Sequence, residues 1–163
     1  MAEHDYFGVI DETGTERWLE TVEANDQQVA VSVWMESPAS EDALDRAAAM
    51  VMSLDAIDRH AREQLVAELA SHASSTSQFV ARALEELDDA ELLAELDRES
   101  GDRAIDILRS LTLDSVTIRP DFAGDDEAFC ALRYHFASDV FELVLVVTLD
   151  ARAESAGVTL ETW

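Results

Sequence analysis

Leu143-Val144-Leu145-Val146-Val147-Thr148-Leu149 is the stretch of the sequence that decides the fold. Six of the seven side chains are aliphatic, and no polar residue alternates with them. A continuous apolar run of this length is typical of a β-strand that is buried on both faces. We therefore expect this stretch to form a strand at the centre of a sheet. It is far too short to span a bilayer.

The rest of the C-terminal third also has the pattern of strands. Apolar and polar residues alternate at 116–118, just before a proline, and residues 129–136 and 158–163 are rich in β-branched and aromatic side chains. A turn signal at 124–126 separates the first two segments, and Gly157 precedes the last one. This end of the chain is therefore expected to be a run of strands.

The N-terminal third predicts a hairpin. Residues 29–35 alternate cleanly, so that every second side chain falls on one face, and these are Val29, Val31, Val33 and Met35. Residues 17–23 alternate more loosely, and a turn at 25–26 joins the two segments. A short apolar segment at 6–10, followed by a turn at 11–14, precedes the hairpin.

The middle of the chain predicts helices. Ser40 is the expected N-cap of the first helix, and further segments begin near residue 57, at 78, after the Asp88-Asp89 pair and at Asp102. The polar stretch 71–77 is expected to be a loop. Because strands flank the helices at both ends, we predict a single α+β domain over residues 1–163. Its sheet is mostly antiparallel, is built from the N-terminal hairpin and the C-terminal strands, and carries the helices on one face.

The net charge of the chain limits the classes of molecule that it is expected to bind. Lysine is absent, and 11 arginines stand against 36 aspartates and glutamates, which gives a formal net charge of −25. This charge argues against direct contact with nucleic acids or anionic membranes, and it favours cationic surfaces, such as that of a basic protein, or metal ions. Codon bias in a GC-rich genome, or a salt-rich cytoplasm, would produce the same acidity without any functional role for it.

The densest carboxylate cluster lies at residues 85–99, which hold eight acidic side chains. A helix pair with such an outer face could imitate nucleic-acid phosphates and occupy the cleft of a basic protein, with its leucines at 84, 87, 92 and 96 turned inward. An ordinary solvated helix face is the alternative. The partner-binding residues that we predict are Glu85, Glu86, Asp88, Asp89, Glu91 and Glu95.

Catalytic and metal-binding signatures are absent from the sequence. The four histidines are scattered, a single cysteine cannot supply a zinc site, and no phosphate loop or nucleophile motif occurs. Cys130 and His135 are five residues apart on one predicted strand, so they face opposite sides of the sheet. We therefore predict no catalytic residue, no metal ligand and no cofactor. A cleft that held His135 near two acids, one with a raised pKa, would instead favour an enzyme.

The only local basic cluster is at residues 59–62. Arg59 and Arg62 lie off the apolar stripe of the predicted second helix, and Arg59 is expected to pair with Glu63 four residues later. Trp18 and Trp34 fit either a core or an interface, as does the C-terminal tryptophan at 163. A homodimer is possible through the closing strand if that strand lies at a sheet edge.

Several short segments resemble the DUF two-thousand-four family of uncharacterised bacterial proteins. They are residues 6–8, 29–35, 58–62 and 79–87, together with the three closing strands. The resemblance implies a shared fold, and it carries over neither an activity nor any catalytic residue. The family's members are small, acidic and stand-alone, which suggests by analogy an immunity or regulatory role.

Taken together, the sequence favours a non-enzymatic protein that binds a basic partner protein. The alternative is that the charge has no partner role and that a small-molecule or enzymatic site lies across the sheet. A lone cysteine suits a reducing cytoplasm, and the first residues lack the basic-then-apolar pattern of a secretory signal. We therefore expect the protein to be cytoplasmic.

Overall fold

The computed structural model of the protein describes residues 2–10, 18–97, 99–124 and 127–162. Within these residues the chain forms eight strands and five helices. In chain order they are β1 (Ala2–His4), β2 (Gly8–Ile10), β3 (Trp18–Ala24), β4 (Gln27–Val33), α1 (Glu41–Met52), α2 (Leu54–Glu68), α3 (Ser75–Glu86), α4 (Asp89–Glu95), α5 (Arg103–Ser110), β5 (Thr112–Ile118), β6 (Cys130–His135), β7 (Leu143–Leu149) and β8 (Ser155–Thr162). The turn expected at 11–14, most of the turn at 124–126 and the tryptophan at 163 lie outside the described residues.

The predicted α+β architecture is confirmed. Strands β3 to β8 form one six-stranded sheet in which each strand pairs with its neighbours in chain order. Only the β4–β5 pair is parallel. All five helices lie between these two strands, and they bring the chain back to the end of the sheet at which β4 began. Strands β1 and β2 pair separately as a small antiparallel sheet.

Strand β7 is buried on both faces, as its composition predicts, and pairs with β6 and β8. It is not the central strand, however, because only β8 separates it from the sheet edge. Strand β8 therefore meets the condition for a dimer through the closing strand. It also begins earlier than expected, since Gly157 lies inside it with a φ of 147° next to a register shift.

The hairpin formed by β3 and β4 follows the sequence pattern closely. Val29, Val31, Val33 and Met35 are all buried beneath the helices. Asn25 and Asp26 form the two-residue turn, with φ values of 46° and 65°. Positive φ at both central residues is the geometry of a type I′ turn, which matches the right-handed twist of the strands.

Side-chain caps fix where the helices begin. Ser40 caps α1 by accepting a hydrogen bond from the Ala43 amide, as expected. Ser74 caps α3 in the same way, so that helix starts at Ser75 inside the predicted loop. Asp88 caps α4 through a complete capping box with Glu91.

The helices bury one face of the sheet, but not every apolar side chain that the pattern assigns to the core is buried. Met52, Leu84 and Leu93 are 68%, 46% and 42% exposed. Helical spacing identifies an apolar stripe but not its width, and these side chains lie outside the part that meets the sheet.

Two of the tryptophans are partly buried in local aromatic clusters. Trp18 packs against Tyr6 and Phe7 of the small N-terminal sheet, with its ring centroid 5.1 Å from that of Phe7. Trp34 stacks on the Arg119 guanidinium at 3.8 Å. Both side chains therefore make contacts within the chain. No helix among the described residues has the length and hydropathy needed to cross a bilayer.

Candidate functional site

The predicted acidic residues lie along α3 and α4, and they differ in how far they are already engaged. Glu85 and Asp89 are exposed, and their carboxylates make no hydrogen bond or ion pair among the described residues. Glu86 forms an ion pair with Arg82 on the same helix. The other three make structural contacts: Asp88 and Glu91 form the capping box, and Glu95 accepts a hydrogen bond from Ser138.

An apolar groove adjoins this acidic segment, between helices α2, α3 and α5. It encloses about 520 Å³. Its apolar lining consists of Val66, Leu69, Ala70, Val80, Ala81, Leu84, Ala104 and Ile105. Leu84, expected to face inward, is instead 46% exposed in this groove, and it directly precedes Glu85. The polar residues of the lining are His72, Ser77 and Asp102, the N-cap of α5, so one carboxylate lies in the wall of this apolar depression.

A second depression, of about 500 Å³, is lined mostly by polar and charged residues and lies where the β3–β4 turn meets helices α2 and α5. We call it the arginine pocket. Its lining residues are Asn25, Asp26, Gln27, Asp58, Arg59, Arg62, Asp97, Arg109, Ser110, Leu111 and Thr112. Three of the chain's 11 arginines therefore meet at one place in a strongly acidic protein.

The floor of the arginine pocket is a buried carboxylate. Asp58 is 1% exposed and accepts four hydrogen bonds through its two oxygens. The Tyr134 hydroxyl and Arg62 Nε donate to Oδ1 at 2.7 and 3.0 Å. The side-chain amides of Asn25 and Gln27 donate to Oδ2 at 2.9 and 3.2 Å. A buried carboxylate is tolerated only with partners of this kind, so the network holds the β3–β4 turn against α2.

Arg62 connects the floor to the start of β5. Its Nη1 donates to the Leu111 carbonyl at 2.7 Å and its Nη2 to Gln27 Oε1 at 2.8 Å. Gln27 Oε1 also accepts from the backbone N–H of Leu113 at 2.8 Å. Burial, followed by the charge of Asp58 and its hydrogen bond, raises the pKa of Tyr134 well above its ordinary value of 10.0. The tyrosine therefore stays protonated and donates.

The two other arginines of the pocket are exposed at its mouth. Arg59 does not form the expected ion pair with Glu63, and neither Arg59 nor Arg109 has a carboxylate within 4 Å among the described residues. The pKa of Asp106 is lowered first by a hydrogen bond from Ser100 and further by the charge of Arg109, without an ion pair between them. The pair that forms on α2 is Arg62 with Asp58, because Arg62 turns toward the strand ends instead of away from them.

The residues considered for catalysis are not assembled into a site. Cys130 is fully buried on the helix side of the sheet, and burial raises the pKa of its thiol to about 12. His135 lies on the other face, with Nε2 3.5 Å from Asp114 Oδ1. No three His, Cys, Asp or Glu side chains in the described part of the chain are grouped as metal ligands.

The sequence pattern misses most of the arginine pocket. Asn25 appears only as a turn residue, and Gln27 and Arg109 carry no signal of their own. A usable signal was the four-residue spacing of Asp58 and Arg62, which is the same as that of Arg59 and Glu63. Asp58 directly follows the buried Ile57, and this position beside the apolar stripe distinguishes the two pairs.

Comparisons with protein-family models, with curated proteins and with solved structures find no match to this chain. The relationship to the DUF two-thousand-four family therefore stays a prediction. Function has to be inferred from the chemistry of the acidic segment, the apolar groove and the arginine pocket.

Proposed function

We propose that the protein binds a basic partner protein through the acidic segment of α3 and α4 together with the adjoining apolar groove. The observation that carries this proposal is the exposure of Leu84, which directly precedes Glu85, in an apolar groove whose lining includes the carboxylate of Asp102. Protein interfaces commonly combine a desolvated apolar centre with a polar rim, and the centre provides most of the affinity. An acidic helix face alone would lack that centre.

The charges give the proposed contact its selectivity. A net charge of −25 attracts a basic surface over several ångströms and speeds the encounter, particularly at low salt. Glu85 and Asp89 have no partner of their own among the described residues and are free to pair with arginine or lysine. We extend the same proposal to a cytoplasmic location, to membership of the DUF two-thousand-four family and to the absence of direct nucleic-acid or membrane binding. A homodimer through β8 stays a separate prediction, which light scattering on the purified protein can test.

The experiment is capture of partners from the host lysate by the tagged protein at low and high salt. One variant neutralises the acidic segment with Glu85→Gln, Glu86→Gln and Asp89→Asn. These changes leave the Asp88–Glu91 capping box and Glu95 intact. A control variant removes the same number of exposed carboxylates elsewhere, with Glu23→Gln, Glu142→Gln and Glu161→Gln.

We expect one stoichiometric basic protein that is lost at high salt and with the acidic-segment variant, and is retained by the control. Leu84→Ala should weaken capture at low salt, because it removes an apolar contact, whereas Leu19→Ala, at a 72% exposed site on β3, should not. If both carboxylate variants lost the same amount of captured partner, net charge alone would explain the binding, and the position of the carboxylates would not matter. An empty lane at both salts would contradict the proposal.

A further inference from the structure

The arginine pocket is a binding site of different chemistry from the acidic segment. Its walls come from the β3–β4 turn, from α2 and from the junction of α5 with β5, and Asp97, which follows α4, completes the lining. Hydrogen bonds from Arg62 tie the three walls together, because this one side chain contacts Asp58, Gln27 and the Leu111 carbonyl. The pocket is therefore held in shape by its own floor, which lowers the ordering cost of binding a ligand.

The charged side chains of the pocket that have no partner among the described residues determine which ligands it can bind. Arg59 and Arg109 supply two guanidinium groups, and Asp26 and Asp97 supply two carboxylates. None of the four side chains forms an ion pair or a hydrogen bond among the described residues. Asp97 is bonded there only through its backbone N–H, which donates to Ser110 at 2.9 Å. Among the residues that the structure describes, two positive and two negative groups are thus left unpaired around one cavity.

We propose that this pocket binds a small zwitterion of the amino-acid class. Arg59 and Arg109 would receive the carboxylate, for which the planar guanidinium is well suited. Asp26 and Asp97 would receive the ammonium group. A simple anion would meet these two aspartates and the field of a protein with a net charge of −25, and a simple cation would meet the arginines. Only a ligand carrying both charges satisfies the whole lining, and a cavity of about 500 Å³ is large enough for one.

The test is isothermal titration calorimetry of the full chain with each proteinogenic amino acid in turn, up to about 10 mM, which reaches millimolar dissociation constants. For the tightest ligand, its deaminated acid and its decarboxylated amine are titrated as well. The variants are Arg59→Gln, Arg109→Gln and Asp97→Asn. Arg103→Gln serves as the control, because Arg103 is exposed on the same helix as Arg109 but outside the pocket lining.

We expect at least one amino acid to bind and both single-charge analogues to bind more weakly. Each pocket variant should weaken binding about tenfold, which corresponds to about 1.4 kcal/mol, and the control should match the wild type. The sites changed are exposed, so urea unfolding of each variant should show an unchanged fold. Binding of no amino acid, a deaminated acid that binds as well as its parent, or wild-type affinity in both arginine variants would each overturn the proposal.

Discussion

Replacing Asp58 with alanine should destabilise the protein more than any exposed substitution on the same helix. The carboxylate is 1% exposed and accepts four hydrogen bonds, one of them from Arg62, whose side chain is 21% exposed. Its removal leaves a mostly buried guanidinium without its counter-charge and the Tyr134 hydroxyl without its acceptor. Loss of one partner of a buried ion pair costs about 3–5 kcal/mol, and we expect a value in that range.

The assay is urea unfolding followed by far-ultraviolet circular dichroism at neutral pH. A loss of this size is smaller than the total of about 5–15 kcal/mol that is usual for a domain, so the variant should still fold. Glu63→Ala is the matched control, because Glu63 is exposed on the same helix and makes no contact with the network. Tyr134→Phe removes only one hydrogen bond and should cost about 1–2 kcal/mol.

The double variant Asp58→Ala, Arg62→Ala separates the pair from its surroundings. Because the two side chains depend on each other, their combined effect should be smaller than the sum of the single effects, by about 0.5–3 kcal/mol. Two results would refute the reasoning: an Asp58→Ala effect no larger than that of Glu63→Ala, or strict additivity in the double variant. Either would mean that water replaces the network at little cost.

Three further predictions concern other parts of the fold. Burial alone would raise the pKa of Asp121, but hydrogen bonds from Arg119 and from the Glu36 amide, together with the Arg119 charge, hold it below 3.8. The ionised carboxylate therefore contributes to the free energy of unfolding above pH 3.8, and this contribution is lost as the pH falls through the lowered pKa. The difference in stability between the wild type and Asp121→Asn should therefore disappear in acid. Urea unfolding at a series of pH values measures it. Cys130 is fully buried with a pKa raised to about 12, so a thiol reagent should modify it only at the rate of unfolding, and rapid labelling of the native protein would contradict this burial. Asp88→Ala should cost about 1 kcal/mol in thermal unfolding by removing the cap of α4, whereas Asp89→Ala should cost clearly less.

The sequence predicts those parts of the fold that depend on local patterns. The alternation at 29–35 and the apolar run of β7 each determine a strand, because burial on one face or on both dictates the spacing of apolar residues. Ser40 and Asp88 mark helix starts, because a side-chain oxygen can satisfy the free amides there. Ser74 does the same for α3, but it stands among other serines, and the composition alone indicated a loop.

Features that depend on tertiary contacts could not be predicted from local sequence patterns. Leu84 has the spacing of a core residue, and only the placement of α2 and α5 beside α3 leaves it in a groove. The Asp58 network joins residues from four separate elements or turns, so no local window contains it. The pairs Asp58–Arg62 and Arg59–Glu63 have the same spacing. Only the first pair forms, because its side of α2 faces the strand ends.

The two proposed sites share two helices, and this arrangement makes their coupling measurable. Helix α2 carries Arg59 at the arginine pocket and Val66 at the apolar groove, and α5 carries Arg109 at the pocket and Ile105 at the groove. Seven residues along α2 correspond to a rise of about 10 Å, so a ligand that draws Arg59 and Arg109 together acts on the same helix pair that borders the groove. Suppose that the ligand changes the distance between α2 and α5. It then changes the affinity for the partner by some factor, and the partner must change the affinity for the ligand by the same factor. Titrating each in the presence of the other measures both factors. Unequal factors would show that one of the titrations reports something other than binding to these sites.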